Sequence, residues 1–330
     1  MPVLEVQNLK MYYEIPFRGY VRAVDDISFT LEKGESLGIV GESGCGKSSL
    51  AISLMNLLPK NAKVFGGKVL LNGRNIFEVP DEELRKEIRW KQISMIFQGA
   101  MNALHPIIKV GDQIVEAITL HEDVSKEEAW KRAEDLLEMV GIDRTRAHHY
   151  PFEFSGGMRQ RAMIAMALAL NPDVLLADEP TTALDVIVQA QILKLIKDLQ
   201  RKFGIALVLI SHDVSVIAEM SDKVAVMYAG MFQEYGSAED VFLRPMHPYT
   251  KGLLAGVPSV KGKPRRLKSI PGAPPNLLNP PKGCRFHPRC PFAVDKCREE
   301  LPPLVEVEPG HFVRCHRAEE LKEVPWDVSE

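Results

Sequence analysis

Three segments far apart in the chain carry residues whose types and spacing suit phosphate chemistry: Gly41-Glu42-Ser43-Gly44-Cys45-Gly46-Lys47-Ser48, Phe154-Ser155-Gly156-Gly157-Met158-Arg159-Gln160, and Val174-Leu175-Leu176-Ala177-Asp178-Glu179. Ser36 to Val40 is a short apolar run suited to a buried strand, and Lys47 to Leu58 has helical spacing, so the glycines fall at a strand-to-helix turn. Gly41, Gly44 and Gly46 admit backbone angles that larger residues resist, which lets successive N–H groups converge on phosphate oxygens at a helix N-terminus. Lys47 then reaches the outer phosphates as a point charge, and the Ser48 hydroxyl is placed to ligate magnesium. Glu42, Ser43, Cys45 and Ser49 complete the loop and the start of its helix, with Cys45 a bystander to the chemistry.

The third segment is an apolar run, Val174 to Ala177, that ends abruptly in two acids, as a parallel strand does when it delivers charge to a sheet edge. Asp178 would hold magnesium, directly or through water, and Glu179 would polarise the water that attacks a terminal phosphate. Two acids before Pro180 can also simply begin a solvated turn. Further residues follow in a telling order: Gln98 after the run Ile93 to Phe97, Asp185 shortly after the acidic pair, and His212 at the end of the run Ile205 to Ser211. Each is weak by itself, since lone glutamines and histidines most often serve structure.

In this order the segments resemble those of the ATP-binding subunits of ABC transporters, with Ser155-Gly156-Gly157 and Gln160 similar to that family's signature loop. The resemblance covers nearly the whole chain. It implies that the signature serine and glycines contact the terminal phosphate of ATP held by an opposing subunit. It also implies that Gln98 links magnesium to a transmembrane partner, that Asp185 signals across the dimer, and that His212 touches the terminal phosphate. Tyr13 matches the aromatic position that stacks on adenine, with its neighbour Tyr12 as the alternative. The chain departs from the family pattern at Met158-Arg159, where typical members carry glutamine directly after the glycines, and at Gly99-Ala100, where many carry an acid followed by proline.

Composition sets the outer limits. The 330 residues exceed one ordinary domain, and 41 basic against 44 acidic side chains give a formal charge of −3, too balanced for a nucleic-acid footprint. The longest uninterrupted apolar stretch, Ala162 to Leu170, is much shorter than the roughly 20 residues of a membrane helix. The opening Met1-Pro2-Val3-Leu4-Glu5 lacks the basic and apolar regions of a secretory signal, so export is not expected, and the family resemblance implies a peripheral position on the cytoplasmic face of the cell membrane.

The fold class expected is α/β, an ABC-type P-loop ATPase core with an antiparallel β layer, a helical subdomain and a small metal-binding C-terminal extension. Strands at Val3 to Tyr13, Ala23 to Leu31 and Lys68 to Leu71 would form the antiparallel layer, within a first core segment spanning residues 1–98. Residues 99–154, with Val124 to Met139 rich in Glu, Lys and Ala, read as the helical subdomain. The signature helix and the rest of the core occupy residues 155–244, including a helix over Val186 to Lys202 and a closing hairpin from Val224 to Met227 and Phe232 to Tyr235. Residues 245–330 shift to Pro, Gly and basic residues such as Pro264-Arg265-Arg266, and read as a separate appendage.

That appendage holds Cys284, Cys290, Cys297 and Cys315, separated by five, six and seventeen residues. Clustered thiols in a reducing compartment suit metal better than disulfides, and the spacing alone leaves zinc and a four-iron cluster open. His247-Pro248-Tyr249-Thr250 and Gly283-Cys284-Arg285-Phe286-His287-Pro288-Arg289-Cys290-Pro291 resemble the C-terminal extension of the oligopeptide and dipeptide branch. That resemblance implies a [4Fe-4S] cluster on the four cysteines, with Zn2+ as the alternative. His287, His311 and His316 are expected to be solvated bystanders, His316 being the one placed to replace a ligand.

By the same resemblance the chain hydrolyses ATP to drive peptide import, pairs with a related but nonidentical ATPase subunit, and works with two permease subunits and an external binding protein. Oligosaccharide or nickel cargo is the alternative. An ABC ATPase of DNA maintenance would carry a long insertion between the glycine loop and the signature, a scaffold subunit would lack Glu179 or His212, and a P-loop kinase leaves Ser155 to Gln160 unexplained.

Overall fold

A computed structural model describes residues 1–99, 103–256 and 270–326; Ala100 and the Pro264-Arg265-Arg266 segment lie outside the described residues. The first half runs β1 (Leu4–Ile15), β2 (Gly19–Leu31), β3 (Ser36–Val40), α1 (Lys47–Leu54), β4 (Ala62–Leu71), β5 (Arg74–Asn75), α2 (Asp81–Glu83), β6 (Ile93–Ile96), α3 (Val110–Thr119) and α4 (Lys126–Met139). Next come α5 (Gly156–Ala167), β7 (Val174–Asp178), α6 (Val186–Phe203), β8 (Ala206–Ile210), α7 (Val214–Met220), β9 (Lys223–Tyr228) and β10 (Met231–Ser237). The chain continues with α8 (Ala238–Leu243), α9 (Pro248–Ala255), α10 (Asp295–Glu299), β11 (Val305–Glu308) and β12 (His311–Val313). These elements divide into two compact units, one formed by residues 1–5, 30–35 and 69–209, the other by residues 6–29, 36–68 and 210–330.

The first unit carries strands in the order β8-β7-β6. β6 and β7 are parallel, with Ile93 opposite Val174 and Ile96 opposite Ala177, and every residue of both is buried. Burial on two faces explains why they read as unbroken apolar runs rather than alternating ones. The helical block expected over residues 99–154 contains α3 and α4, which pack through Val110, Ile114 and Ile118 on one side and Ala129, Ala133 and Leu137 on the other. Ser125 starts α4 by accepting a hydrogen bond from the Glu128 N–H (3.2 Å), and Glu127 and Glu128 complement the positive end of the helix.

The second unit carries strands in the order β11-β12-β10-β9-β3. β3 and β9 are parallel, in register from Leu37 opposite Lys223 to Val40 opposite Val226. Their entry is fixed by Ser36, whose N–H and hydroxyl donate to Asp222 Oδ2 (2.9 and 2.6 Å) while its Oγ accepts from the Asp222 N–H (2.9 Å). β9 and β10 form the expected hairpin around Ala229 (φ 49°) and Gly230 (φ 84°), the two positive dihedrals that a type I′ turn requires. β2, β1 and β4 lie side by side in that order; β4 is six residues longer at its start than the sequence suggests, because Gly66-Gly67 conceals its alternating exposure.

Two expectations need correction here. The segment after Arg244 is not separate from the core: β12 is hydrogen-bonded antiparallel beside β10, pairing Val313 with Glu234 and Phe312 with Tyr235, and β11 extends the sheet beyond it. His311 is not a solvated bystander either, since its ring is fully buried with Nε2 2.8 Å from Glu234 Oε1.

His247 opens α9, its Nδ1 accepting from the Tyr249 N–H at 2.9 Å. Burial of the ring drives its pKa down to about 3, against an unfolded value near 6.5. A folded pKa below the unfolded one means that the unfolded chain binds the extra proton, so the stability is intact above about pH 6.5 and falls as the pH drops toward 3. His247→Asn keeps an acceptor at the cap, and urea unfolding from pH 7 to 5 is expected to lose stability less steeply in this variant, by about 1.4 kcal/mol per pH unit below 6.5.

Candidate ATP site and cysteine cavity

The glycine loop lies in the second unit between β3 and α1. Two backbones press against it so closely that side chains are excluded: a β-carbon on Gly41 would lie 2.0 Å from the Met227 carbonyl oxygen, and one on Gly46 2.0 Å from that of Ala23. Gly46, at φ 108°, is the residue before α1 and makes the left-handed turn from which the helix starts. Lys47 is buried, its Nζ donating to Gly41 O (2.7 Å) and Glu42 O (3.1 Å), while Ser43 and Ser48 are exposed at the mouth. Cys45 is buried beside Lys47, with Sγ 3.7 Å from Nζ; burial raises its pKa, and the neighbouring ammonium only partly opposes this. α1 ends at Leu54 rather than Leu58 because Asn56 turns left-handed (φ 48°).

Tyr13 and Tyr12 have different attachments. The Tyr13 hydroxyl donates to Ser49 Oγ (3.1 Å) on the helix behind the loop, whereas Tyr12 is bonded to Asp25 (2.7 Å) and stacks on Phe65 at 4.8 Å. This leaves Tyr13 the aromatic residue tied to the phosphate loop. His212, also in this unit, is exposed just after β8.

In the first unit β7 delivers Asp178 buried and Glu179 half-buried at its end. Glu179 holds φ 47°, a conformation that costs a non-glycine residue about 1 kcal/mol or more and marks a backbone shaped around its side chain. Gln98 Nε2 donates to Glu179 Oε2 at 2.9 Å, and Thr182 Oγ1 donates to the same oxygen at 3.1 Å. Two residues proposed for one reaction from separate segments are thus in direct contact, and Thr182 is a third that no spacing pattern revealed.

The signature turn behaves as a helix cap. Ser155 Oγ accepts from the Met158 N–H (3.3 Å) at the start of α5, and Gly156 and Gly157 form the first turn. A β-carbon on Gly157 would lie 2.8 Å from Val188 Cγ1, so this glycine sets how closely α5 and α6 approach. Arg159, standing where typical members differ, donates back to Phe154 O (3.1 Å). Gln160 is buried on the inner side of α5 rather than presented at its mouth. Asp185 caps α6, with Oδ1 accepting from the N–H groups of Ile187 (3.1 Å) and Val188 (3.0 Å).

Cys284, Cys290, Cys297 and Cys315 all line one small cavity together with His247, Phe286, Phe292 and His316. The thiols are free, and burial pushes those of Cys290 and Cys315 up to about 12 and raises that of Cys284. Among the described residues no group of three or more His, Cys, Asp or Glu side chains converges tightly enough to hold a metal ion, so the metal-binding extension expected from the sequence is not displayed as a formed site.

The pattern of the ABC transporter family matches residues 24–182, and that of the oligopeptide/dipeptide transporter C-terminal region matches residues 233–297. The chain is 50% identical over 322 residues to the oligopeptide transport ATP-binding protein OppD of Escherichia coli K12, covering 97% of this chain and 94% of that protein. It is also 50% identical over 315 residues to the dipeptide transport ATP-binding protein DppD of Lactococcus lactis, covering 94% of this chain and 90% of that one. A solved dimeric, post-hydrolysis structure of the ATP-binding cassette MJ0796 bound to ADP and Pi superposes with a TM-score of 0.63 at 30% identity, covering 71% of this chain and 98% of that one. The chain belongs to the ABC transporter ATP-binding family, in the branch that carries the oligopeptide/dipeptide C-terminal region.

The close backbone approach separates two glycines that look equivalent in sequence. In urea unfolding, Gly41→Ala is expected to lose about 3 kcal/mol, as overpacking against an immovable carbonyl does. Gly44→Ala meets no atom within 4 Å and suffers only its positive φ of 78°, so a loss of about 1 kcal/mol is expected.

Proposed function

We propose that this chain is the ATP-hydrolysing subunit that energises import of dipeptides or oligopeptides, with Glu179 as the residue that orients the attacking water. The observation that carries the hydrolytic assignment is the convergence of Gln98 and Thr182 on one oxygen of Glu179, at 2.9 and 3.1 Å. Two donors on one carboxylate oxygen hold the side chain in place, so the carboxylate is oriented as a general base for water requires. Peptide cargo rests on the names of relatives at about half identity and on the shared C-terminal region. No helix among the described residues is long and apolar enough to cross a membrane; the assignment of the permeation path to partner subunits rests on the transport relatives.

The chain's own residues divide the work. The glycine loop and Lys47 bind the phosphates, Tyr13 packs the base, and His212 contacts the terminal phosphate from the end of β8. Ser48 and Asp178 would hold Mg2+, which neutralises phosphate charge when bound. The Ser155 turn offers helix N–H groups and a hydroxyl to the ATP of an opposing, related ATPase subunit, with Gly156 and Gly157 allowing the approach. Gln98, exposed beside Glu179, carries the state of the site toward two permease subunits, and Asp185, which caps α6, signals across the dimer. An external binding protein supplies the peptide, and the assembly sits on the cytoplasmic face of the membrane.

The cysteine cavity supports a second reading of the extension. Four thiols around one cavity match the donor set of a [4Fe-4S] cluster, and burial, which raises the pKa of Cys284, Cys290 and Cys315, means that bound metal would be needed to keep those three ionised at neutral pH. Phe286 and Phe292 line the same cavity. The cluster would act as a staple for a loop-rich segment rather than as a reagent.

In the assembled transporter, Glu179→Gln is expected to bind ATP within about threefold of the native affinity and to lose at least about a hundredfold in steady-state ATPase rate, the share of a general base. Persistence of native turnover would remove Glu179 from the mechanism. Protein purified without oxygen is expected to contain iron and acid-labile sulfide and to absorb broadly in the visible; stoichiometric zinc without iron would replace the cluster with the zinc alternative.

A further inference from the structure

Glu42 presents a difficulty for its own loop. It places a carboxylate beside Gly41 in a turn whose N–H groups and Lys47 are arranged for anions, where an unpaired negative charge would repel phosphate. The second unit resolves this with residues from the far end of the chain. Arg289 grips the carboxylate with both arms of its guanidinium, Nη1 to Oε2 at 2.6 Å and Nη2 to Oε1 at 3.0 Å. The guanidinium is itself fixed by Pro271 O (2.7 Å), the Tyr228 hydroxyl (3.3 Å), Ile270 O (3.4 Å) and Gly272 O (3.4 Å). Its side chain is 5% exposed and that of Glu42 28%. The Glu42 N–H is occupied as well, donating to the Tyr249 hydroxyl at 2.9 Å.

We propose that Arg289, assisted by Tyr249, is a positioning residue for ATP: it cancels the Glu42 charge and fixes the first turn of the phosphate loop, so the cysteine-bearing extension is a working part of the nucleotide site. Arg289 touches neither substrate nor reacting atoms. It acts through Glu42, and its effect falls on nucleotide affinity rather than on the chemical step. The inference explains why an arginine stands immediately before Cys290 in the motif that also lines the thiol cavity. It rests on the reading of the glycine loop as the ATP cradle.

The experiment is equilibrium binding of Mg·ADP and of a non-hydrolysable Mg·ATP analogue to the full-length protein. Arg289→Met is expected to weaken the ATP analogue about tenfold, with the loss shrinking at high salt as the exposed carboxylate is screened. Glu42→Gln/Arg289→Met removes both charges and is expected to return to within about threefold of the native affinity, and Arg289→Lys, which keeps the charge but loses the two-armed grip, to fall between the native protein and Arg289→Met. A double variant that binds as poorly as Arg289→Met, or an Arg289→Lys as weak as Arg289→Met, overturns the proposal, because a merely structural arginine gives no charge rescue. If Arg289→Met fails to fold, the double variant and Arg289→Lys still decide: a tenfold loss in either overturns it. Lys47→Ala is the control on the cradle itself. Loss of binding there with native affinity in Arg289→Met refutes the positioning role alone, whereas native binding in Lys47→Ala refutes the cradle reading beneath it.

Discussion

Steric exclusion at the phosphate loop governs the rest of the second unit. Gly41 and Gly46 are flanked so closely by the backbones of Met227 and Ala23 that no β-carbon fits, and this approach holds the loop against the end of β9 and the middle of β2. Hydrogen bonds continue the seam: the Gly230 N–H donates to Cys45 O (2.8 Å) and the Asp25 N–H to Gly230 O (2.8 Å). The type I′ turn between β9 and β10 is therefore the back wall of the loop. Arg285, from the cysteine segment, bonds both Ala229 O on that turn and the Asp25 carboxylate. A curve that only glycine permits is thereby braced by charge from the opposite end of the chain.

Such bracing has an energetic logic. Arg285, Arg289 and Arg314 are each nearly buried, and each is paired with a carboxylate near the N-terminal third of the chain: Asp25, Glu42 and Asp26. Buried arginines are costly unless their donors are filled, and these also reach backbone carbonyls, as Arg314 does to Phe232 O (3.0 Å) and Pro302 O (3.2 Å). Removing one partner of such a pair typically costs about 3–5 kcal/mol, far more than a surface ion pair contributes. They act less as sources of net stability than as devices that admit a single docking geometry.

Much of this was legible in the sequence, for identifiable reasons. β3, β6, β7 and β8 stand out because strands buried on both faces become apolar runs, and the hairpin at Ala229-Gly230 is announced by its flanking strands. The phosphate loop and the acids after β7 are legible because their chemistry demands fixed residue types at fixed offsets. What escaped was long-range. Arg289 meets Glu42 across 247 positions and Arg285 meets Asp25 across 260, and no local periodicity encodes such partners. β11 and β12 are too short to show alternation, and His311 reads as solvated until Glu234 is found beside it. Asp185 and Gln160 show the complementary gap: sequence names them, but only coordinates reveal one spent on capping a helix and the other turned inward.

The placement of β12 has a consequence for how small this molecule can be made. Cutting the chain after β10 would strip that strand of its neighbour and leave a bare ladder of amides and carbonyls, an invitation to aggregation. The same cut would strand three acidic side chains whose counter-charges had been discarded. Shorter cassettes of this superfamily are thus no guide to a minimal fragment: here β12 and the arginines that follow β10 are masonry, and what looks like an annex carries one wall of the house.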